Sequence, residues 1–356
     1  MTDRVLTGRE LNRALLARQL LLRRERIPVS RAIERVGALQ AQWPPSPYVA
    51  LWSRLDGFSR AHLMRTIERR QVVKATLMRA TLHQISARDY LAYGGLIRES
   101  RIASLRRRAH RDGFAAGVAQ LAERAAREAS AEPRSRPELL ELLGLGKLRV
   151  DDPRPWVVWH LLAAEAELVH SPESSAWRRN TAGGKFVPAS AWLGRGGESG
   201  EAAAASLVRR YLAAFGPATR ADVAQWTGMT LASLEPAFAR LPLRRFRDER
   251  GRVLLDNPRA PLPPAGTDAP VRLLPMWDSS LLAHDDRSRI LPDGHRKTVI
   301  RKNGDVQQSF LVDGFVAGLW RLEGGRIELE PFEELPRKTL DELAAETDAL
   351  ARWLET

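Results

Sequence analysis

The feature that most restricts the fold is a repeated order: short helical segments, then a pair of extended runs, each copy punctuated by proline or glycine. In the first copy, Thr7 is an N-cap with Glu10 three positions on, a capping box ahead of Leu11, Leu15, Leu16, Leu20 and Leu22 at helical spacing. Pro28 and Ser30 open a second helix carrying Ala32, Ile33, Val36 and Leu39, which the Pro44-Pro45-Ser46-Pro47 cluster stops shortly after Gln42. Residues 48–55 and 63–70 form two further helices. In VVKATLMRATLHQIS, β-branched residues and alternation then predict two strands. Helices followed by a strand pair are the order of a winged helix.

A second copy is expected from helices near 137–143 and 155–169 and a hairpin tipped by Ala182-Gly183-Gly184. After the Gly194 to Gly200 linker, a helix at 201–215 precedes ATRADVAQWTGM and LASLEPAFARL, which resemble a helix-turn-helix, with LRRFRDERGRVLLD as its wing. The proline-rich stretch 257–270 marks a boundary. Beyond it, VRLLPMW, KTVIRK, VQQSFLV, FVAGLWRL and RIELEP are separated by Asn303-Gly304, Asp313-Gly314 and Gly324-Gly325, dipeptides suited to tight hairpin turns. The expected class is α+β: tandem winged helices, then a barrel-like antiparallel sheet and a closing helix. The expected boundaries are 1–93, 94–199, 200–260 and 261–356.

Composition narrows the chemistry. The 356 residues include no cysteine, which removes disulfides, thiol nucleophiles and thiolate zinc sites. No export signal or run of eighteen apolar residues occurs, so a cytoplasmic, nucleoid-associated protein with no membrane partner is expected. The net charge is +13; residues 323–356 hold ten acids against four bases, leaving +19 on the rest. Such an excess favours a polyanion, nucleic acid first. Only six of the 56 basic residues are Lys; a GC-rich coding sequence explains the arginine bias as well as phosphate recognition does.

No P-loop, GxSxG, HExxH or GxGxxG motif is present. His284-Asp285-Asp286 offers adjacent metal-ligand types whose side chains diverge in an extended turn, and His160 and His170 fall on or near one helix. No metal and no cofactor is expected. Gln40 and Gln42 end an apolar segment: extended, their amides face the same way; helical, they point apart. They either cap a helix before the prolines or carry chemistry, and periodicity does not choose between the two.

LQAQ followed by PYVALWSRL, TLMRATLH, LLPMWDSSLLAHDDRSRI and FLVDGFVAGLW resembles the bacterial AlkZ-like winged-helix DNA glycosylase family, over about residues 7–330. The resemblance implies three winged helices in a C-shaped stack with a barrel-like C-terminal unit, double-stranded DNA in the concave face, and a catalytic Gln-x-Gln motif at Gln40-Ala41-Gln42. YcaQ-like relatives have Asp at the second place. The implied substrate is DNA with alkylated purines or crosslinks, cut by a monofunctional, monomeric enzyme. Alkylation at N7 of guanine or N3 of adenine makes the base a cationic leaving group, so a positioned water and dipoles for an oxocarbenium-like sugar are enough. Gln42 in place of a carboxylate suits such activated lesions. Candidate phosphate contacts are Lys74, Arg79 and His83 on the first wing, Arg178, Arg179 and Lys185 by the second, and Arg287, Arg289, Arg296, Lys297, Arg301 and Lys302 near the C-terminal hairpin. Trp43 stacks in a groove or anchors the proline turn, and Arg106-Arg107-Arg108 is a solvated helix face. The competing readings are a non-catalytic winged-helix regulator of transcription and a binder that shields lesions.

Overall fold

A computed structural model describes residues 3–111, 117–146, 154–177, 184–194 and 196–355. The chain begins with β1 (Val5–Leu6) and α1 (Gly8–Arg18), the latter closed by the Thr7–Glu10 capping box. Helix α2 (Val29–Val36) does not continue to Gln42 as expected. Gly37, with φ of 80°, and Ala38, with φ of 103°, turn the chain out of the helix, and Leu39–Gln40 form strand β2. A Cβ at Gly37 would lie 3.0 Å from both Ala214 and the Phe215 ring, so the stop is also a packing contact.

Next come α3 (Ser46–Arg54), α4 (Arg60–Glu68), β3 (Val72–Thr76), β4 (Leu82–Ser86) and the short α5 (Ala87–Asp89). The second segment holds α6 (Gly95–Arg111), α7 (Val118–Ala131), β5 (Arg134–Ser135), α8 (Arg136–Leu142), α9 (Arg154–Glu165), β6 (Leu168–His170), β7 (Lys185–Pro188) and α10 (Ala189–Leu193). The tip expected at Ala182-Gly183 lies outside the described residues. The first two strand groups join in one six-stranded sheet, β2-β4-β3-β6-β7-β5, through Lys74 on β3 opposite His170 on β6.

Helices α11 (Gly200–Phe215), α12 (Arg220–Thr227) and α13 (Leu231–Arg240) follow, with Gly228 in the left-handed conformation at the turn, then the hairpin β8 (Arg244–Asp248) and β9 (Val253–Asp256). Strand β1 adds to this hairpin in parallel, Val5 beside Arg247. After the proline-rich stretch, β10 (Arg272–Leu274), the short α14 (Arg296–Val299), β11 (Ser309–Val312), β12 (Phe315–Glu323) and β13 (Arg326–Pro331) lead to α15 (Arg337–Glu355). The KTVIRK run is a correction: a turn at Asp293–His295 leads into the one-turn helix, and only Ile300 bridges, to Val306. The last four strands form one antiparallel sheet in chain order, its first and last strands unpaired with each other.

Buried polar contacts tie the far ends together. Arg18 forms a two-point ion pair with Asp256 in the interior, and Asn12 donates to the carbonyls of Arg289 and Gly314. Helix α15 packs on the first helices: the Trp353 ring stacks on Phe58 at 6.0 Å, and its Nε1 donates to the Phe58 carbonyl. No helix among the described residues is long and apolar enough to cross a membrane.

Candidate active site

Gln40 sits where the chain, freed from α2 by Gly37, pairs with β4. In register it faces His83, while Leu39 faces Gln84. Ala41 N donates to the Leu82 carbonyl at 2.7 Å, and Leu82 N reaches Gln42 Oε1 at 3.4 Å. The two glutamines therefore differ in setting. Gln40 is 6% exposed and its Oε1 is buried without a hydrogen bond; Gln42 is exposed. A buried carbonyl oxygen with no donor is costly and calls for a partner. Neither residues 39–55 nor β4 contains an acid, so these two segments offer the site neutral dipoles.

His83, on the same sheet face as Gln40 by the pleat, is buried and neutral. Burial first, then the neighbouring Arg79 guanidinium, push its pKa down to about 3, and Nδ1 lies 3.0 Å from the Thr81 carbonyl, to which the neutral ring donates. Lys74 faces the other side of the sheet. It is 2% exposed, its Nζ donates to the Ser174 carbonyl at 3.0 Å, and burial lowers its pKa to about 8. Both faces of the sheet are covered, so alternation along the strands did not translate into exposure. Lys74 and His83 are thus corrected from phosphate contacts to interior groups.

Arg79 is corrected as well: its guanidinium turns inward and donates to the Trp226 carbonyl at 2.8 Å. Arg289 is 6% exposed and donates to the Pro217 carbonyl. Arg287 is held through the carbonyls of Leu281 and Asp285. Lys185 is half-buried on β7, and Arg178 and Arg179 lie outside the described residues. By contrast Arg296 and Lys297 on α14, with Arg301 and Lys302 just after it, are all exposed and have no carboxylate partner among the described residues. Arg106 pairs with Glu165, and Arg108 lies over the Trp156 ring. Trp43 is half-buried, its carbonyl closing the proline turn onto Ser46 N.

The three side chains of His284-Asp285-Asp286 do not converge. His284 meets the Phe215 carbonyl and Asp286 pairs with Arg250 and Arg252. Among the described residues no three His, Asp or Glu are grouped as metal ligands. His160 tilts against Trp156, and His170 is buried against Phe186. Sequence reasoning missed Gly228 and the Trp226 carbonyl, which meet the hairpin tip behind Gln42. No local signal announces a contact between residues so far apart in the chain.

A family model described as DNA glycosylase AlkZ-like matches residues 33–353. The interstrand DNA cross-link repair glycosylase of Streptomyces sahachiroi is 28% identical over 155 residues, a match spanning 40% of this chain and 41% of that relative. The solved structure of Streptomyces sahachiroi DNA glycosylase AlkZ superposes with a TM-score of 0.81 at 22% identity, covering 98% of this chain and 97% of that one. The fold is therefore shared along nearly the whole length.

Proposed function

The chain belongs to the AlkZ-like DNA glycosylase family, and from that premise we propose that it hydrolyses the N-glycosidic bond of cationic N7- or N3-alkylated purines in duplex DNA. Interstrand crosslinks are included, in keeping with the name of its Streptomyces relative. The observation that carries this reading is the Gln40 carbonyl, buried without a donor beside the exposed Gln42 amide.

In this mechanism the alkylated base leaves with the C1′–N electron pair, which neutralises it, so no acid is required. Water attacks C1′ while Gln40 and Gln42 accept its hydrogens and orient it. Their carbonyl dipoles also face the positive charge that develops on the sugar. The water's proton passes to solvent. No cofactor enters, and no lysine forms a covalent intermediate, so the enzyme is monofunctional. Arg296, Lys297, Arg301 and Lys302 meet phosphates, and the protein acts as a monomer. We read the organisation as winged helices at 1–93, 94–199 and 200–260, with the C-terminal unit at 261–356.

Single-turnover release of free base from duplex carrying N7-methylguanine tests the reading, beside a duplex with a nitrogen-mustard crosslink. Gln40→Ala and Gln42→Ala should each slow excision by roughly 10- to 1000-fold with duplex affinity unchanged. Normal excision by both variants would leave the motif as a strand end before the Pro44-Pro45 turn.

A further inference from the structure

The tip of the β3–β4 hairpin, expected to reach out to DNA, packs against the protein instead, with Leu77 and Met78 buried, Arg79 half-buried and Ala80 exposed. Leu77 is 1% exposed and Met78 0%, both in one apolar cluster with Val223, Trp226 and Met229 of the α12 region. The tip has no glycine, yet Arg79 and Ala80 both hold positive φ, 51° and 58°. Such backbone persists only where the surroundings hold it in place. Here the surroundings are the turn between α12 and α13. Arg79 donates to the Trp226 carbonyl, and a Cβ on Gly228 would stand 3.2 Å and 3.3 Å from Arg79 N and Cα. Gly228 itself has φ of 74°, so the close approach and the turn both require glycine.

From this clasp the chain runs straight into the candidate site. Two residues after Ala80, Leu82 begins β4; its carbonyl takes the Ala41 N–H and its own N–H reaches Gln42 Oε1. We infer that Arg79 and Gly228 are positioning residues: the α12–α13 turn grips the hairpin tip, and the tip sets β4 and so the placement of Gln40 and Gln42. Arg79 is half-buried with no carboxylate partner among the described residues, and burial lowers its pKa to about 10, which fits a group kept for its geometry. The inference rests on the glutamines acting on the reacting bond. A small misplacement of groups that orient water then slows the chemical step and leaves binding intact.

The test is single-turnover excision of N7-methylguanine by the full chain, with duplex affinity and melting temperature measured alongside. Arg79→Met, which retains most of the volume, and Gly228→Ala, which pushes on the tip, should each reduce the rate constant by about 10-fold or more. Substrate affinity should stay within about twofold, and Arg79→Lys, which retains a donor, should recover much of the rate. Combined with Gln40→Ala and Gln42→Ala together, either substitution should add little further slowing, because it acts through those two groups. Losses that multiply in the combined variants would overturn the inference, as would full activity in both single variants beside a slowed Gln42→Ala. Normal excision by Gln42→Ala would instead remove the functional reading beneath it. Should Gly228→Ala fail to fold, the Arg79→Met and Arg79→Lys pair decides alone.

Discussion

Arg54 and Asp278 face each other as a two-point ion pair in the interior, Nη1 to Oδ2 and Nη2 to Oδ1 at 2.9 Å each, with both side chains 1% exposed. Arg54 also donates to the carbonyls of Gln19 and Ala50, and Asp278 Oδ1 accepts from Ser280. The pair joins the end of α3 to the segment after β10. A fully bonded buried network tolerates replacement of both charges better than loss of one. Asp278→Ala should lower unfolding free energy by about 3–5 kcal/mol, and Arg54→Met with Asp278→Leu by clearly less. Denaturant melts of the three proteins decide it; equal losses would mean that the stranded charge is not the cost.

The exposed cations at 296, 297, 301 and 302 are proposed to lie on phosphates. Replacing all four by Gln should reduce the slope of log affinity against log salt by up to about 0.9 for each phosphate no longer neutralised. The single-turnover rate at saturating enzyme should hold. An unchanged slope places DNA on another face.

Acid should weaken the fold before its carboxylates titrate. Burial pushes His83 and His170 down to about 3, and burial also lowers His284, beside Arg289, so all three are neutral in the folded protein. Between pH 6.5 and about 3 the unfolded chain binds protons that the folded chain refuses. Stability therefore falls as pH drops through that window, by up to about 1.4 kcal/mol per pH unit for each histidine. Asp286, which burial opposes but Ser288 and Arg252 hold down at about 2, keeps its contribution until the pH falls below its ordinary 3.8. Unfolding free energies at pH 7, 6 and 5 measure the slope (roughly two units of pH); a flat profile would contradict it.

Gly37→Ala should destabilise by at least about 1 kcal/mol, because φ of 80° and contacts at 3.0 Å both reject a Cβ. Since Gly37 feeds β2, excision should slow as well. A melting temperature equal to the parent's would show that the turn relaxes without effect.

What the sequence disclosed was local. The Thr7–Glu10 capping box forms as read, with Thr7 N donating to Glu10 Oε2 at 2.9 Å. Asp313-Gly314 and Gly324-Gly325 adopt the paired positive φ values of tight hairpin turns. Gly37 was equally legible as a helix stop, but the prolines ahead drew the boundary six residues too far. KTVIRK carries the β-branched residues of a strand, and the preceding turn at Asp293–His295 overrode them. The candidate site was legible only as a pair of glutamines. That Gln40 is interior and Gln42 exposed depends on pairing with β4, and the inward turn of Arg79 depends on a carbonyl 147 residues away. Periodicity within a segment carries no information about partners at such separation.

The parallel pairing of β1 with β8 also fixes an order of events during synthesis. Val5 and Leu6 leave the ribosome long before the strand they join, residues 244–248. These two residues must wait, unpaired, until residues 244–248 have been translated. Contacts of such long separation are slow to form, and the waiting edge is open to any strand that arrives sooner. A nascent-chain series stalled at increasing lengths should show protease protection of residues 5–6 appearing only once the β8–β9 hairpin has cleared the exit tunnel.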